Sequence, residues 1–210
     1  MDLTNRDKLL LTITVILITV TLANYLMIQL MCLLSIAASI FTLVFVVILS
    51  SKVKFNKLTL ALISLILFSS ILSTTLIYNA LINEVLAYLA LGMSLLVFSL
   101  ANLLIVYYFI FLHIHGLNTL LRNTSLKAYY IIAILLLIAG AVVTYFFTDS
   151  ESLKLVQGVV KELNSSVISI LFNGKLGLYI MFTSVYSLPL ILTGSIISLL
   201  TLLKMIREIL

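Results

Sequence analysis

The side chains able to do chemistry are few, and their spacing excludes most of it. Two histidines, His113 and His115, stand two positions apart. On a helix such a pair points about 200° apart, so both cannot face one haem iron or one metal ion. They read as an interfacial pair among lipid headgroups, near Arg122. The one cysteine, Cys32, excludes an internal disulfide, a thiolate-held iron–sulfur cluster and a cysteine-rich zinc site. Serines and threonines abound, yet no His, Asp or Glu lies deep within an apolar run to activate one as a nucleophile. Asn102, the strong polar group of the fourth apolar run, reads as helix–helix glue. Catalytic, cofactor-binding and metal-binding residues are therefore expected to be none, and the chain is expected not to be an enzyme. No glycine-rich phosphate loop, nucleic-acid motif or internal repeat stands out. Two sequons occur, Asn123-Thr124-Ser125 and Asn164-Ser165-Ser166, and such tripeptides are common by chance.

The elements that must carry these residues follow from composition. Of 210 residues, 63% are hydrophobic and only 9% charged. Soluble domains carry about 25% charged residues, so lipid must be the solvent for most of this chain. Leu9 to Ser51 contains no charged residue. That run is about twice the ~20 residues one crossing needs, and the polar patch Asn24-Tyr25…Gln29 marks the turn between two helices. Lys52, Lys54 and Lys57 then form a basic loop, and Asn83-Glu84 a tight polar turn. The expected architecture is all-α: a six-span transmembrane bundle with spans at about 9–25, 28–50, 58–82, 85–112, 128–147 and 176–203. The whole of 1–210 reads as a single polytopic membrane domain. Pro189 should kink the sixth span by removing a backbone donor.

Charge gives the orientation. With the N-terminus cytoplasmic, nine basic residues fall inside: Arg6, Lys8, Lys52, Lys54, Lys57, Arg122, Lys127, Lys204 and Arg207. Outside lie only Lys154, Lys161 and Lys175, with Glu84, Asp149, Glu151 and Glu162. This asymmetry matches the positive-inside rule at every inner loop. The formal charge of +5 is thus a topology signal and gives no reason to expect nucleic-acid binding. The expected localisation is the cell membrane, multi-pass, with both termini cytoplasmic.

Apolar faces gain nothing by meeting in lipid, so small and polar residues mark helix contacts. Each span has such a seam. They are Thr12, Thr19 and Ala23; Cys32, Ser35, Ser39 and Thr42; Ser69, Ser70, Ser73, Thr74 and Thr75; Tyr88, Gly92, Ser99 and Asn102; Ala133, Gly140 and Thr144; and Thr183, Ser187, Gly194, Ser198 and Thr201. One segment departs from this pattern. In 149–173, Leu153, Val156, Val160, Leu163, Val167 and Ile170 recur every three or four residues, with Glu151, Lys154, Lys161 and Glu162 elsewhere. That is one stripe of an amphipathic helix, opened by the capping box Thr148-x-x-Glu151 and stopped at Asn173-Gly174. It belongs on the outer membrane surface, between the fifth and sixth spans.

No Asp, Glu, Lys or Arg lies within a span, which counts against a proton-driven carrier. The expected role is a non-enzymatic subunit or scaffold of a larger membrane assembly, docking through the amphipathic helix. Its partners would be the lipid bilayer and other membrane subunits or further copies of itself. The alternative is a channel or facilitator lined by hydroxyls of the third and sixth spans.

Overall fold

The computed structural model describes residues 5–23, 31–50, 57–83, 85–113, 122–148, 154 and 186–209. The described residues are helical apart from short turns, and they contain no strand. Six helices follow one another: α1 (Asn5–Ala23), α2 (Met31–Ser50), α3 (Lys57–Asn83), α4 (Leu86–His113), α5 (Thr124–Phe146) and α6 (Leu188–Ile209).

Four of them are long and apolar enough to cross a membrane, over Leu60–Ala80, Leu86–Leu112, Thr124–Phe146 and Leu188–Met205. In α2 the described apolar stretch is Ile36–Ile48. Large apolar side chains such as Phe68, Leu135, Ile196 and Phe146 point outward on these helices. Water would not tolerate such a surface, whereas lipid tails cover it at no cost. This is a membrane protein with an all-helical fold.

The helix ends have local causes. Val85 opens α4, its carbonyl accepting from the N–H groups of Tyr88 and Leu89. Asn123 caps α5: its side-chain Oδ1 accepts from the Ser125 N–H at 3.3 Å and from the Ser125 hydroxyl at 2.7 Å. The first sequon is therefore a helix start, and α5 begins at Thr124 rather than near 128. Pro189 does not kink a longer span. Tyr186 and Ser187 form a turn, α6 begins at Leu188, and Pro189 sits in its first turn. There the missing N–H has no helical acceptor to lose. The Ser187 carbonyl instead accepts from the Ile191 N–H at 3.0 Å.

The helices close into a ring in chain order. α3 packs most extensively on α4, α5 on both α4 and α6, and α1 on both α2 and α6; α2 touches α3 and, more lightly, α4. Of the four apolar helices α4 is the most enclosed, with 67% of its spanning stretch buried. Leu96, Val97, Leu100, Leu103, Leu104 and Val106 are all fully buried along it. Two close approaches fix neighbouring pairs. A Cβ on Gly92 would stand 3.0 Å from the backbone nitrogen of Ile77, so α4 and α3 meet nearly backbone to backbone. A Cβ on Gly194 would stand 3.2 Å from the carbonyl oxygen of Ala133, which sets α6 against α5. Small residues at crossings permit such contact in lipid.

Candidate functional site

The polar side chains of the bundle mostly join one helix to the next. Ser39 Oγ of α2 lies 3.4 Å from Ser70 Oγ of α3. Ser73 of α3 donates to the Gly92 carbonyl of α4 at 2.8 Å. Ser94 of α4 donates to the Ala141 carbonyl of α5 at 2.8 Å. Thr144 Oγ1 of α5 lies 2.9 Å from Ser187 Oγ, at the threshold of α6. These residues come from the seams read in the sequence, with Ser94 and Ala141 added by the structure.

A second layer joins hydroxyls to rings. Thr42 donates to the Ala38 carbonyl at 2.7 Å, so the Tyr107 hydroxyl, 3.4 Å away, is the donor to Thr42. Thr14 of α1 stands beside the same tyrosine. Tyr130 of α5 donates to the Leu104 carbonyl of α4 at 2.8 Å. Its ring stacks on Tyr108 at 5.9 Å between centroids and meets Phe111 edge-on at 6.4 Å. Tyr107 and Tyr130 are fully buried. Aromatic pairs of this kind contribute about 0.5–1.5 kcal/mol beyond their burial. Sequence reasoning missed this cluster, because rings inside an unbroken apolar run carry no periodic signal.

Not every seam residue is inside. Tyr88 is exposed, and Thr12 and Thr19 are half-buried and bond to their own helix at the Lys8 and Val15 carbonyls. Among the described residues, two groups are enclosed without a partner: Asn102 Nδ2 and Ser195 Oγ. Asp7, placed by the sequence in a polar end, is buried in the first turn of α1 and engaged with neighbours. A helix N-terminus favours a carboxylate there. Among the described residues no three His, Cys, Asp or Glu come together around a point where a metal could sit.

No protein-family model, curated protein or solved structure matches the chain.

One concave feature stands at the end of the bundle where α5 starts and α6 finishes. It is a cavity of about 260 Å³ lined by Ser125, Leu126 and Tyr129 of α5 and by Ile197, Leu200, Thr201 and Lys204 of α6. Leu126 and Thr201 form its buried floor, while Tyr129 and Leu200 are exposed at its rim. It is apolar at one end and cationic at the other. The amphipathic segment 149–173, His115, Lys161, Asn164 and Lys175 lie outside the described residues, except that Lys154 is helical and exposed. Nothing is described of the side chains of Cys32 and His113.

Proposed function

We propose that the chain is a non-enzymatic, multi-pass subunit or scaffold of a larger membrane assembly. In this reading it crosses the cell membrane six times, α1 and α2 included, with both termini cytoplasmic. The amphipathic segment 149–173 lies on the outer side and docks a partner. The observation that carries it is where the hydroxyls go. Ser39, Ser70, Ser73, Ser94, Thr144 and Ser187 link successive helices. Each such bond contributes roughly 0.6–2 kcal/mol to holding helices together in lipid. A path through the third and sixth spans would need Ser70, Thr74 and Ser187 open to water. Ser70 and Ser187 are buried, and the Thr74 hydroxyl bonds back to the Ser70 carbonyl at 2.9 Å. The polar groups serve the bundle, and the amphipathic stripe is left for a neighbour.

The test is purification in mild detergent. A partner should co-purify stoichiometrically with the natural chain. Replacing Leu163 and Val167 together by Ser should remove it while the chain still inserts, because burying such side chains contributes roughly 1.5–3 kcal/mol each. Replacing Lys154 and Lys161, off the stripe, should leave it bound. A chain that purifies alone and conducts ions or solutes in liposomes would overturn the subunit reading.

A further inference from the structure

We propose that the groove between the first turns of α5 and the last turns of α6 holds one anionic phospholipid. Its phosphate would sit on Lys204, and an acyl chain would lie against Ile197, Leu200 and Tyr129. Four observations lead there, and none depends on the subunit reading.

The first is depth. Ser125 stands one residue inside the start of the α5 span, and Lys204 one residue inside the end of the α6 span. Ile197 lies seven residues before Lys204, which places it about 10 Å deeper along the helix. The groove therefore runs from the water boundary into hydrocarbon, as a lipid does.

The second is the distribution of chemistry along that direction. The deep wall is Ile197, Leu200 and the Tyr129 ring, and the shallow end carries the Lys204 ammonium beside Ser125 and Leu126. The third is charge. Arg207 follows one turn after Lys204 and is exposed, and exposed Arg122 precedes the cap of α5. Two acids belong to the helices at this end: Asp7, which is buried and already engaged, and Glu208 in the last turn of α6. Four exposed cations, Arg122, Lys127, Lys204 and Arg207, outnumber these two acids and favour an anion, and a cation placed against a lipid headgroup contributes about a fivefold preference for anionic lipid. The fourth is openness. Leu200 is 60% exposed and Tyr129 56%, so the groove faces the surrounding lipid and can admit a long molecule sideways.

The α5 N-terminus is not the anion ligand, since Asn123 already accepts from the Ser125 N–H and hydroxyl. Lys204 is. Lys127 serves as a control, because it is exposed and lies about 160° round α5 from Tyr129, on the far side from the groove.

The experiment is native mass spectrometry of the purified full chain, titrated with phosphatidylglycerol or with phosphatidylcholine. The natural chain should retain one phosphatidylglycerol in preference to phosphatidylcholine. Lys204→Gln should weaken phosphatidylglycerol binding about fivefold, and Lys127→Gln by less than about twofold. Leu200→Ser should weaken both lipids. All three residues are exposed, so melting temperatures should stay unchanged. Equal retention of the two lipids, an equal loss in Lys127→Gln, or no loss in Leu200→Ser would overturn the proposal. So would competition by free glycerol phosphate as strong as that of the lipid, which would make the site one for a small anion.

Discussion

Asn102 shows why a polar residue in a membrane helix has to be judged by its partners. It is buried, and its Nδ2 donates to nothing. On the helical wheel it falls among Leu91, Phe98, Ile105 and Phe109, the side of α4 that is not fully enclosed. The sequence marks it as glue because an amide at membrane depth usually bonds across a helix interface. Here the amide nitrogen is sealed without that bond, and such a group costs about 1–3 kcal/mol. Leucine has similar bulk and no polar atom to desolvate. Asn102→Leu is therefore expected to melt at the same temperature as the natural chain or higher, in detergent. A clear fall in melting temperature would show that the amide holds the bundle together. The opposite case is Asp7, which the sequence gives no reason to bury. Its neighbours are chosen by how α1 packs, and a polar tail read one residue at a time does not contain that information.

At the scale of elements, α3 and α4 form the tightest pair, and two residues explain it. Gly92 lets the Ile77 backbone approach, and the same Gly92 carbonyl accepts from Ser73. A methyl group on Gly92 would stand 2.8 Å from Ile77 Cγ1 as well as 3.0 Å from its nitrogen. A side chain can turn away, but a backbone nitrogen moves only with its helix. Gly92→Ala should cost about 1–3 kcal/mol. Ser73→Ala should cost roughly 0.6–2 kcal/mol. Once the helices are pushed apart the Ser73 bond is already weakened, so the double variant should be little worse than Gly92→Ala alone. Thermal melts of the three variants check this, and strict additivity would mean that the two contacts are independent. The helices themselves were legible in the sequence, as long charge-free runs, and so were most seams of α3, α5 and α6. Three things were not. A threonine in lipid can satisfy itself on its own helix, as Thr12 and Thr19 do, so a hydroxyl stripe does not prove an interface. Tyr88 keeps helical register with Gly92 but sits at the first turn of α4, where an aromatic ring suits the membrane boundary and no neighbour covers it. Pro189 has the same sequence signature in a kinked span as at a helix start, and the preceding turn at Tyr186–Ser187 decides between them.

For the whole molecule the open quantity is the sidedness of the ring in its membrane. The chain-order ring means that adjacent helices run in opposite directions wherever only a few residues separate them, as between the end of α3 at Asn83 and the start of α4 at Leu86. α5 and α6 are likewise antiparallel, since Gly194 meets Ala133 and Leu137 while Gly140, further along α5, meets the earlier Ile191 of α6. Arg122, Lys127, Lys204 and Arg207 are thus at one end of the bundle, and all four side chains are exposed there. Positive residues beside short loops stay on the cytoplasmic side, so this end should face inward and Asn83 and Lys154 outward. Single cysteines in a Cys32→Ser background read this out. Thr124→Cys lies in the exposed first turn of α5, Asn83→Cys at the exposed end of α3, and Lys154→Cys is exposed beyond α5. In intact cells an impermeant maleimide should label Asn83→Cys and Lys154→Cys but label Thr124→Cys only after the membrane is opened. Labelling of Thr124→Cys in intact cells, with protection of the other two, would invert the orientation. It would also carry the Lys204 groove to the leaflet that holds less anionic lipid, where its cations would attract a phosphate more weakly.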